Sequence, residues 1–282
     1  MGTSTINRGQ NGKNPLVPSW LNDPSGDAPP PTPNTPDAGN QPQQNDPAQP
    51  DPRRFVAPRS NFTRYINSGG HSGGDSNLRR AASSYVRNAT GGSHNATMRL
   101  GSARGSTARL LNVMGSFASG GISAIAQTFH LGDIIGKSAK DVFISIIDFV
   151  CPDGGSTDEG IARSAYIETL SAMPDWESKQ IETLTPHEFL AFTENYMADV
   201  IQQRIINDVG NKLFSLPDSI TDIENLEAQM KDFIRNTVSD AITQLNVEIT
   251  KIDQQQAQGI VDSVYKKTFD IMASLGGGIE YE

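Results

Sequence analysis

The sequence has very few of the residues from which catalytic and metal sites are usually built. Cys151 is the only cysteine, and the four histidines, at positions 71, 94, 130 and 187, show no metal-binding spacing. A single thiol excludes an intramolecular disulfide and a cysteine-based zinc finger. Walker, dinucleotide-binding and serine-hydrolase motifs are missing as well. We therefore predict a protein that is not an enzyme and that holds no metal and no cofactor.

Long apolar runs are also missing. The first 30 residues lack the apolar segment of a signal peptide, and no stretch approaches the roughly 20 apolar residues of a membrane helix. A single cysteine fits a reducing compartment. These features predict a cytoplasmic protein without a membrane partner.

The first quarter of the chain lacks the apolar residues needed for a core. Thirteen of the 17 prolines lie in residues 15–58, among many Asn, Gln, Asp, Ser and Gly residues. Such a segment cannot bury enough apolar surface to offset its chain entropy. We predict a long disordered Pro-rich N-terminal tail over residues 1–75, followed by a helical domain over residues 76–278.

The tail begins with an amine that processing can expose. Gly2 is small, which favours removal of Met1 and leaves the Gly2 α-amine free. The pKa of an α-amine is near 8, so part of it is neutral and nucleophilic at neutral pH. An N-myristoylation site is excluded, because Ile6 stands where Ser or Thr is required.

One short apolar island interrupts the polar tail. Leu16, Val17 and Trp20 lie beside Pro15 and Pro18, which favour an extended backbone. An apolar island in a disordered segment is typical of a short docking motif for a partner, although a chance cluster has the same composition. Residues 21–52 form a polar, Pro-rich linker.

Positive charge is concentrated in one stretch of an otherwise acidic chain. The chain carries a formal charge of −9, yet residues 53–109 contain ten arginines, no lysine and one acidic residue. This asymmetry predicts a surface for an anionic partner, or ion pairs with the acidic helices that follow. The candidate residues for contact with an anion or a nucleic acid are Arg79, Arg80, Arg87, Arg104 and Arg109.

The first part of this basic stretch also contains aromatic residues. Phe55, Phe62 and Tyr65 alternate with arginines over residues 53–75. Interleaved aromatic and basic residues can stack on bases and pair with phosphates. The alternative is that these three side chains pack against the helical domain.

From residue 76 onward, apolar residues recur at helical spacing, and no stretch alternates as a strand does. Ser156 with Glu159, and Thr185 with Glu188, fit capping boxes, as does Thr221 with Glu224. Gly120-Gly121 predicts a helix end, with residues 121–136 irregular or in short helices. The predicted fold class is all-α, an irregular multi-helix bundle.

Several short motifs occur in a fixed order along the chain. They are Met1-Gly2-Thr3-Ser4, Pro15-Leu16-Val17-Pro18-Ser19-Trp20, Leu78-Arg79-Arg80, Tyr85-Val86-Arg87, Gly91-Gly92-Ser93, Arg109-Leu110-Leu111, Cys151-Pro152-Asp153-Gly154-Gly155, Asn207-Asp208-Val209-Gly210 and Asp232-Phe233-Ile234-Arg235. In this order they resemble the QatB family, the accessory proteins of the four-part Qat anti-phage defence system of bacteria.

The resemblance implies a set of partners: a QueC-like enzyme (QatC), an ATPase and a TatD-like nuclease. A QueC-like enzyme uses ATP to activate the carboxylate of a 7-deazaguanine for attack by ammonia. On this basis we hypothesise that the Gly2 amine replaces ammonia. Thr3 and Ser4 would be recognised by hydrogen bonds, and Leu16, Val17, Pro18 and Trp20 would dock on the enzyme.

Two other functions are compatible with the same sequence. The chain is either an unmodified scaffold that bridges the ATPase and the nuclease, or a nucleic-acid-binding sensor that uses the arginines of residues 53–109. A scaffold would keep its partners after deletion of residues 2–20. A sensor would show salt-dependent binding to nucleic acid.

Overall fold

The computed structural model describes residues 51, 53–68, 74–132, 134–210, 220–247 and 255–277. Over these residues the chain is all-α, as predicted, and Ser138 and Gln180 form an isolated β-bridge. No helix in this part of the chain is both long enough and apolar enough to cross a lipid bilayer. The helices are α1 (Val56–Asn67), α2 (Gly74–Ser84), α3 (Ser93–Met98), α4 (Ser102–Phe129), α5 (Ala139–Ser145), α6 (Ile147–Val150), α7 (Thr157–Ser171), α8 (Pro186–Gly210), α9 (Ile220–Gln244) and α10 (Ala257–Ser274).

The helical body begins before the sequence-based boundary at residue 76. α1 lies before that boundary and packs along α2. Phe62 and Tyr65 are 6% and 2% exposed, and the Tyr65 hydroxyl donates a hydrogen bond of 2.7 Å to the carbonyl of Leu226. Residues 53–68 are therefore part of the helical body, because Pro58, Phe62 and Tyr65 form one apolar helix face.

The core is centred on α8. This helix packs against α7, α9 and α4, and α10 packs against α4, α9 and α3. Where α8 meets α5 and α7, the aromatic rings form a continuous cluster. The Phe143 ring centroid is 4.9 Å from that of Phe192 and 4.8 Å from that of Trp176. Edge-to-face pairs of this kind add to the free energy gained by burial.

Two glycine-containing segments interrupt the regular α-helix. Two helical pieces of α4 meet at Gly121 (φ 63°, ψ −160°), where the sequence predicted a helix end, and the second piece reaches Phe129. The first half of segment 121–136 is therefore a short helix, one of the two predicted alternatives. After α2 the backbone widens into a π-helix, Tyr85–Ala89, which ends before Gly91 and Gly92, both with positive φ. Inserted π turns occur frequently at functional sites.

Two of the predicted capping boxes are present. The Ser156 hydroxyl accepts a hydrogen bond from the Glu159 N–H, and the Glu159 carboxylate accepts one from the Ser156 N–H. Thr185 and Glu188 make the same reciprocal pair at the start of α8. The predicted box at Thr221 is not formed, because the chain is already helical at Ile220.

Replacement of Thr185 by alanine is expected to lower the free energy of unfolding by about 1 kcal/mol, the usual contribution of a threonine N-cap. Burial would raise the pKa of Glu188, but hydrogen bonds from Lys179 and Thr185 outweigh it and lower that pKa below its usual value of 4.5. Because the pKa is lower in the folded state, this stabilisation is present above pH 4.5 and is lost as the pH falls through the folded-state pKa. Urea unfolding at pH 7 and in acid measures the difference.

Thr221→Ala is the matched control for this prediction. Thr221 lies inside α9, so alanine should leave the stability within about 0.5 kcal/mol of its original value. An equal loss in the two variants at pH 7 would contradict the assignment of Thr185 as the cap.

Candidate functional site

The structure divides the predicted site residues into three groups. Gly2, Thr3, Ser4, Leu16, Val17, Pro18 and Trp20 lie outside the described residues. Arg79, Arg80 and Arg87 are on α2 and the π-helix, and all three side chains are exposed. Arg104 and Arg109 are partly buried on α4 and have partners within the helical body.

Arg104 and Arg109 hold helices together. The Arg104 guanidinium lies 3.0 Å from the carboxylate of Asp262 on α10. Arg109 donates hydrogen bonds of 3.0 Å to the carbonyl of Val150 and to the hydroxyl of Ser106. Because both guanidinium groups are engaged in these contacts, they are not available to an external anion.

The described arginines differ in whether they form an ion pair with an acidic side chain. Five of the 13 described arginines lie within 4.0 Å of a described carboxylate: Arg99, Arg104, Arg163, Arg204 and Arg235. Seven others have no ion pair with any described acidic residue, and all seven lie on or next to α1, α2 and the π-helix. We define them as the arginine surface: Arg53, Arg54, Arg59, Arg64, Arg79, Arg80 and Arg87.

Three guanidinium groups surround one aromatic ring at the start of α1. The guanidinium carbons of Arg54, Arg59 and Arg99 lie 5.1, 5.6 and 5.8 Å from the centroid of the Phe55 ring. Each distance is within the range of a cation–π interaction. Arg99 is also paired with Asp208, whereas Arg54 and Arg59 have no acidic partner among the described residues.

A set of charged and polar side chains that includes Arg99 lies next to this ring. We call it the Asp208 cluster, and its members are Tyr85, Arg99, Asp158, Arg204 and Asp208. The Asp208 carboxylate accepts hydrogen bonds of 2.8 Å from the Tyr85 hydroxyl and 2.9 Å from Arg99 Nε. Arg204 Nε lies 3.5 Å from the same carboxylate, and Arg204 Nη1 donates to Asp158 at 2.5 Å. The cluster thus connects the π-helix, the α3–α4 junction, α7 and α8.

The charged groups of this cluster are shielded from water, which strengthens the interactions between them. The Asp208 side chain is 5% exposed and that of Arg204 is 13% exposed. Burial and then the neighbouring Asp208 carboxylate raise the pKa of Tyr85 well above its usual range, so its phenol remains protonated as a donor. Tyr85 and Arg99 satisfy Asp208 Oδ2, and Arg204 forms an ion pair with Oδ1, so this carboxylate serves the fold.

Gly101 permits close contact with this cluster. Its φ is +53°, and a Cβ built on it would lie 1.7 Å from Asp158 Oδ2. Replacement by alanine is expected to cost about 1–3 kcal/mol from backbone strain, with a further loss as Asp158 is displaced from Arg204. Thermal unfolding measures the effect.

Gly160→Ala is the control for this prediction. Gly160 lies in α7 with no atom near the new Cβ, so alanine should stabilise the protein by about 0.5–1 kcal/mol. Destabilisation by both would contradict this explanation.

The thiol of Cys151 is a structural group. The side chain is 1% exposed, and Sγ lies 3.5 Å from the carbonyl of Ala162 and from the Tyr196 hydroxyl. Burial raises the pKa of the thiol above its usual value, which disfavours the reactive thiolate. Within the described part of the chain, no three His, Cys, Asp or Glu side chains are grouped as a metal site requires.

Sequence reasoning did not place the arginines of residues 53–64 in a helix. It gave them as possible phosphate contacts within a disordered tail, and it named Arg104 and Arg109 among the candidate contact residues. A signal for α1 is present in the sequence, because Pro58, Phe62 and Tyr65 have helical spacing and proline is favoured in a first turn. The ion pair of Arg104 has no such local signal, because Asp262 is 158 residues away.

A family model described as "Qat anti-phage system associated protein QatB" matches residues 91–272. The match covers about two thirds of the 282 residues. The chain belongs to the QatB family. It is accordingly an accessory protein of the Qat anti-phage system. No curated protein and no solved structure matches the chain.

The region shared with the QatB family model covers most of the helical body. It contains four of the five residues of the Asp208 cluster and all of α3 to α9. The N-terminal motifs, α1, α2 and the π-helix precede it. The arginine surface is therefore outside the matched region. Arg99, which is inside that region, contacts the Phe55 ring next to this surface.

Proposed function

We propose that this chain presents its Gly2 amine to a QueC-like partner enzyme, which joins a 7-deazaguanine to it through an amide bond. The helical body acts as the presenter, and the chain is a protein substrate and not the catalyst. Membership of the QatB family is the observation that supports this proposal, because it associates the chain with the Qat system. The reaction would take place in the cytoplasm.

The chemistry requires an uncharged amine and an activated acid. A carboxylate is a poor electrophile, so the partner enzyme must first transfer an ATP-derived group to it. The neutral Gly2 amine then attacks the acyl carbon, an N–C bond forms, the ATP-derived group leaves and the amine loses a proton. Glycine suits this step because it has no side chain to obstruct a narrow active site, and because an α-amine has a pKa near 8.

The length of the N-terminal segment is sufficient for such a reaction. Leu16 lies 14 positions after Gly2, so the chain between them can extend over at most about 50 Å. An enzyme that binds Leu16, Val17 and Trp20 on its surface can therefore receive Gly2 in its active site. Thr3 and Ser4 would follow the amine into the site and be recognised by hydrogen bonds, and Pro18 would keep the docking segment extended.

The proposal is tested by the mass of the N-terminal peptide after co-expression with the QueC-like partner. The expected result is loss of Met1 and a mass increment on Gly2 equal to that of the deazaguanine acid minus one water. Gly2→Pro, which replaces the primary amine by a hindered secondary amine, should abolish the increment. Gly26→Pro is the matched control, because it makes the same substitution in the linker and should leave the increment intact.

A free Gly2 amine in the presence of a bound partner would overturn the proposal. If that chain also kept its ATPase and nuclease partners after deletion of residues 2–20, the function would be that of an unmodified scaffold.

A further inference from the structure

We propose that the arginine surface binds the phosphate backbone of a nucleic acid, independently of any reaction at Gly2. The surface is made by two helices that pack directly against each other, α1 and α2, and by the π-helix that follows α2. Its seven arginines are Arg53, Arg54, Arg59, Arg64, Arg79, Arg80 and Arg87.

The first observation is that the charge of this surface is not compensated within the described residues. Outside it, cationic side chains pair with acids even when both are largely exposed, as Arg235 does with Asp232. The described acids nearest to these arginines in the sequence are Asp51 and Asp75. Asp51 accepts a hydrogen bond from the backbone N–H of Arg53, and Asp75 forms no ion pair with a described arginine. Most of the described Arg and Lys side chains outside this surface are paired with described acids, whereas these seven remain for an external anion.

The second observation is the grouping of guanidinium ions around Phe55. Arg54, Arg59 and Arg99 all lie within 6 Å of its centroid, so three positive charges share one ring and repel one another. Of the three, Arg99 is the one that pairs with a described carboxylate, that of Asp208. The Nε atom of Arg59 is buried and has no hydrogen-bond partner among the described residues; the same holds for Nε of Arg104 and Arg204, but their other nitrogens pair with carboxylates. An anion near Arg54 and Arg59 would relieve the repulsion.

The chemistry of the side chains favours phosphate. All seven are arginines, and the planar guanidinium group pairs with phosphate through two parallel hydrogen bonds. The aromatic side chains do not offer stacking faces to bases, because Phe62 and Tyr65 are buried and guanidinium groups surround the Phe55 ring. The contacts are therefore with the backbone, and binding should be insensitive to base sequence and strongly dependent on salt.

The test is fluorescence anisotropy with a labelled 30-base-pair DNA duplex and the full-length chain. Binding is expected at 50 mM salt, with equal affinity for unrelated base sequences. Each phosphate contact contributes about −0.9 to the slope of log affinity against log salt concentration. Three contacts therefore correspond to an about 40-fold loss of affinity between 50 and 200 mM salt. The variant Arg79→Gln/Arg80→Gln/Arg87→Gln should lose at least about tenfold in affinity at 50 mM salt, and its slope should be smaller by about 2.7.

The matched control removes three positive charges elsewhere. Lys137→Gln/Lys140→Gln/Arg235→Gln alters surface cations outside α1 and α2 and should change the affinity less than about twofold. Circular dichroism verifies that each variant keeps its helices. If the α2 variant unfolds, Arg53→Gln/Arg64→Gln provides the same test on exposed positions of α1.

Three results would overturn the proposal. They are no binding to DNA at 50 mM salt, an equal loss of affinity in the control variant, and displacement of DNA by polyglutamate at a lower charge concentration than by unlabelled DNA. The last result would assign the surface to an acidic protein partner. Because the assay contains no QueC-like enzyme, failure here leaves the Gly2 proposal untouched.

Discussion

Replacement of Asp208 by alanine should lower the free energy of unfolding by about 3–5 kcal/mol, the usual cost of removing one partner from a buried ion pair. Asp208 is 5% exposed and is the only described carboxylate that pairs with Arg99. Its loss leaves Arg99 without an acidic partner and removes the acceptor of the Tyr85 hydroxyl. Urea unfolding followed by circular dichroism gives the value.

Asp232→Ala provides the comparison for Asp208. Asp232 also pairs with an arginine, Arg235, but the two side chains are 64% and 44% exposed. Exposed pairs of this kind contribute about 0–1 kcal/mol, so this variant should be nearly as stable as the unmodified protein. Similar losses in the two variants would show that the Asp208 cluster has no special role in joining α7, α8 and the π-helix.

Replacement of Phe143 by alanine should have an effect of similar size, about 3–5 kcal/mol, because it leaves a cavity in a close-packed core. The Phe143 side chain is 1% exposed and contacts the rings of Tyr166, Trp176, Phe189 and Phe192. The cavity would weaken the packing of α5 against α7 and α8. The midpoint of urea unfolding should fall accordingly.

Ile144→Ala is the control for Phe143→Ala. Ile144 is on the same helix and is 51% exposed, so Ile144→Ala should change the stability by about 0.5 kcal/mol or less. A loss for Ile144→Ala as large as that for Phe143→Ala would contradict the role of the aromatic cluster, because alanine has the higher helix propensity at both positions.

Features that depend on neighbouring residues were predictable from the sequence. The all-α class follows from the helical spacing of apolar residues, and the caps at Ser156 and Thr185 follow from residues three positions apart. The burial of Cys151 follows from the apolar run before it. In each of these cases the residues that determine the feature lie within a few positions of it in the sequence.

Features that depend on distant residues were not predictable. Apart from Arg204 and Asp208, which are one helical turn apart, the contacts of the Asp208 cluster join residues separated by 46 to 123 positions, so no local pattern distinguishes Asp208 from the other acids. α1 was missed because the proline and arginine content of its surroundings outweighed one short apolar face. Local propensity also predicted a cap at Thr221, although that residue lies within α9.

The division of the arginines illustrates the same limit. Ten arginines in residues 53–109 suggested an interaction surface, but composition could not separate those that stabilise the fold from those that remain available. The structure places Arg99, Arg104 and Arg109 in contacts within the body and leaves the other seven without a described acidic partner. Tertiary pairing thus determines which part of a charged segment can bind a partner.

Conjugation at Gly2 can be tested with purified components. The chain, its QueC-like partner, ATP and a 7-deazaguanine carboxylic acid are combined, and the mass of the peptide that begins at Gly2 is measured. We expect an ATP-dependent mass increment equal to the mass of the acid minus one water, and its loss when Leu16, Val17 and Trp20 are replaced by serine. A Gly2 amine that stays free while the chain binds the active enzyme would refute the conjugation.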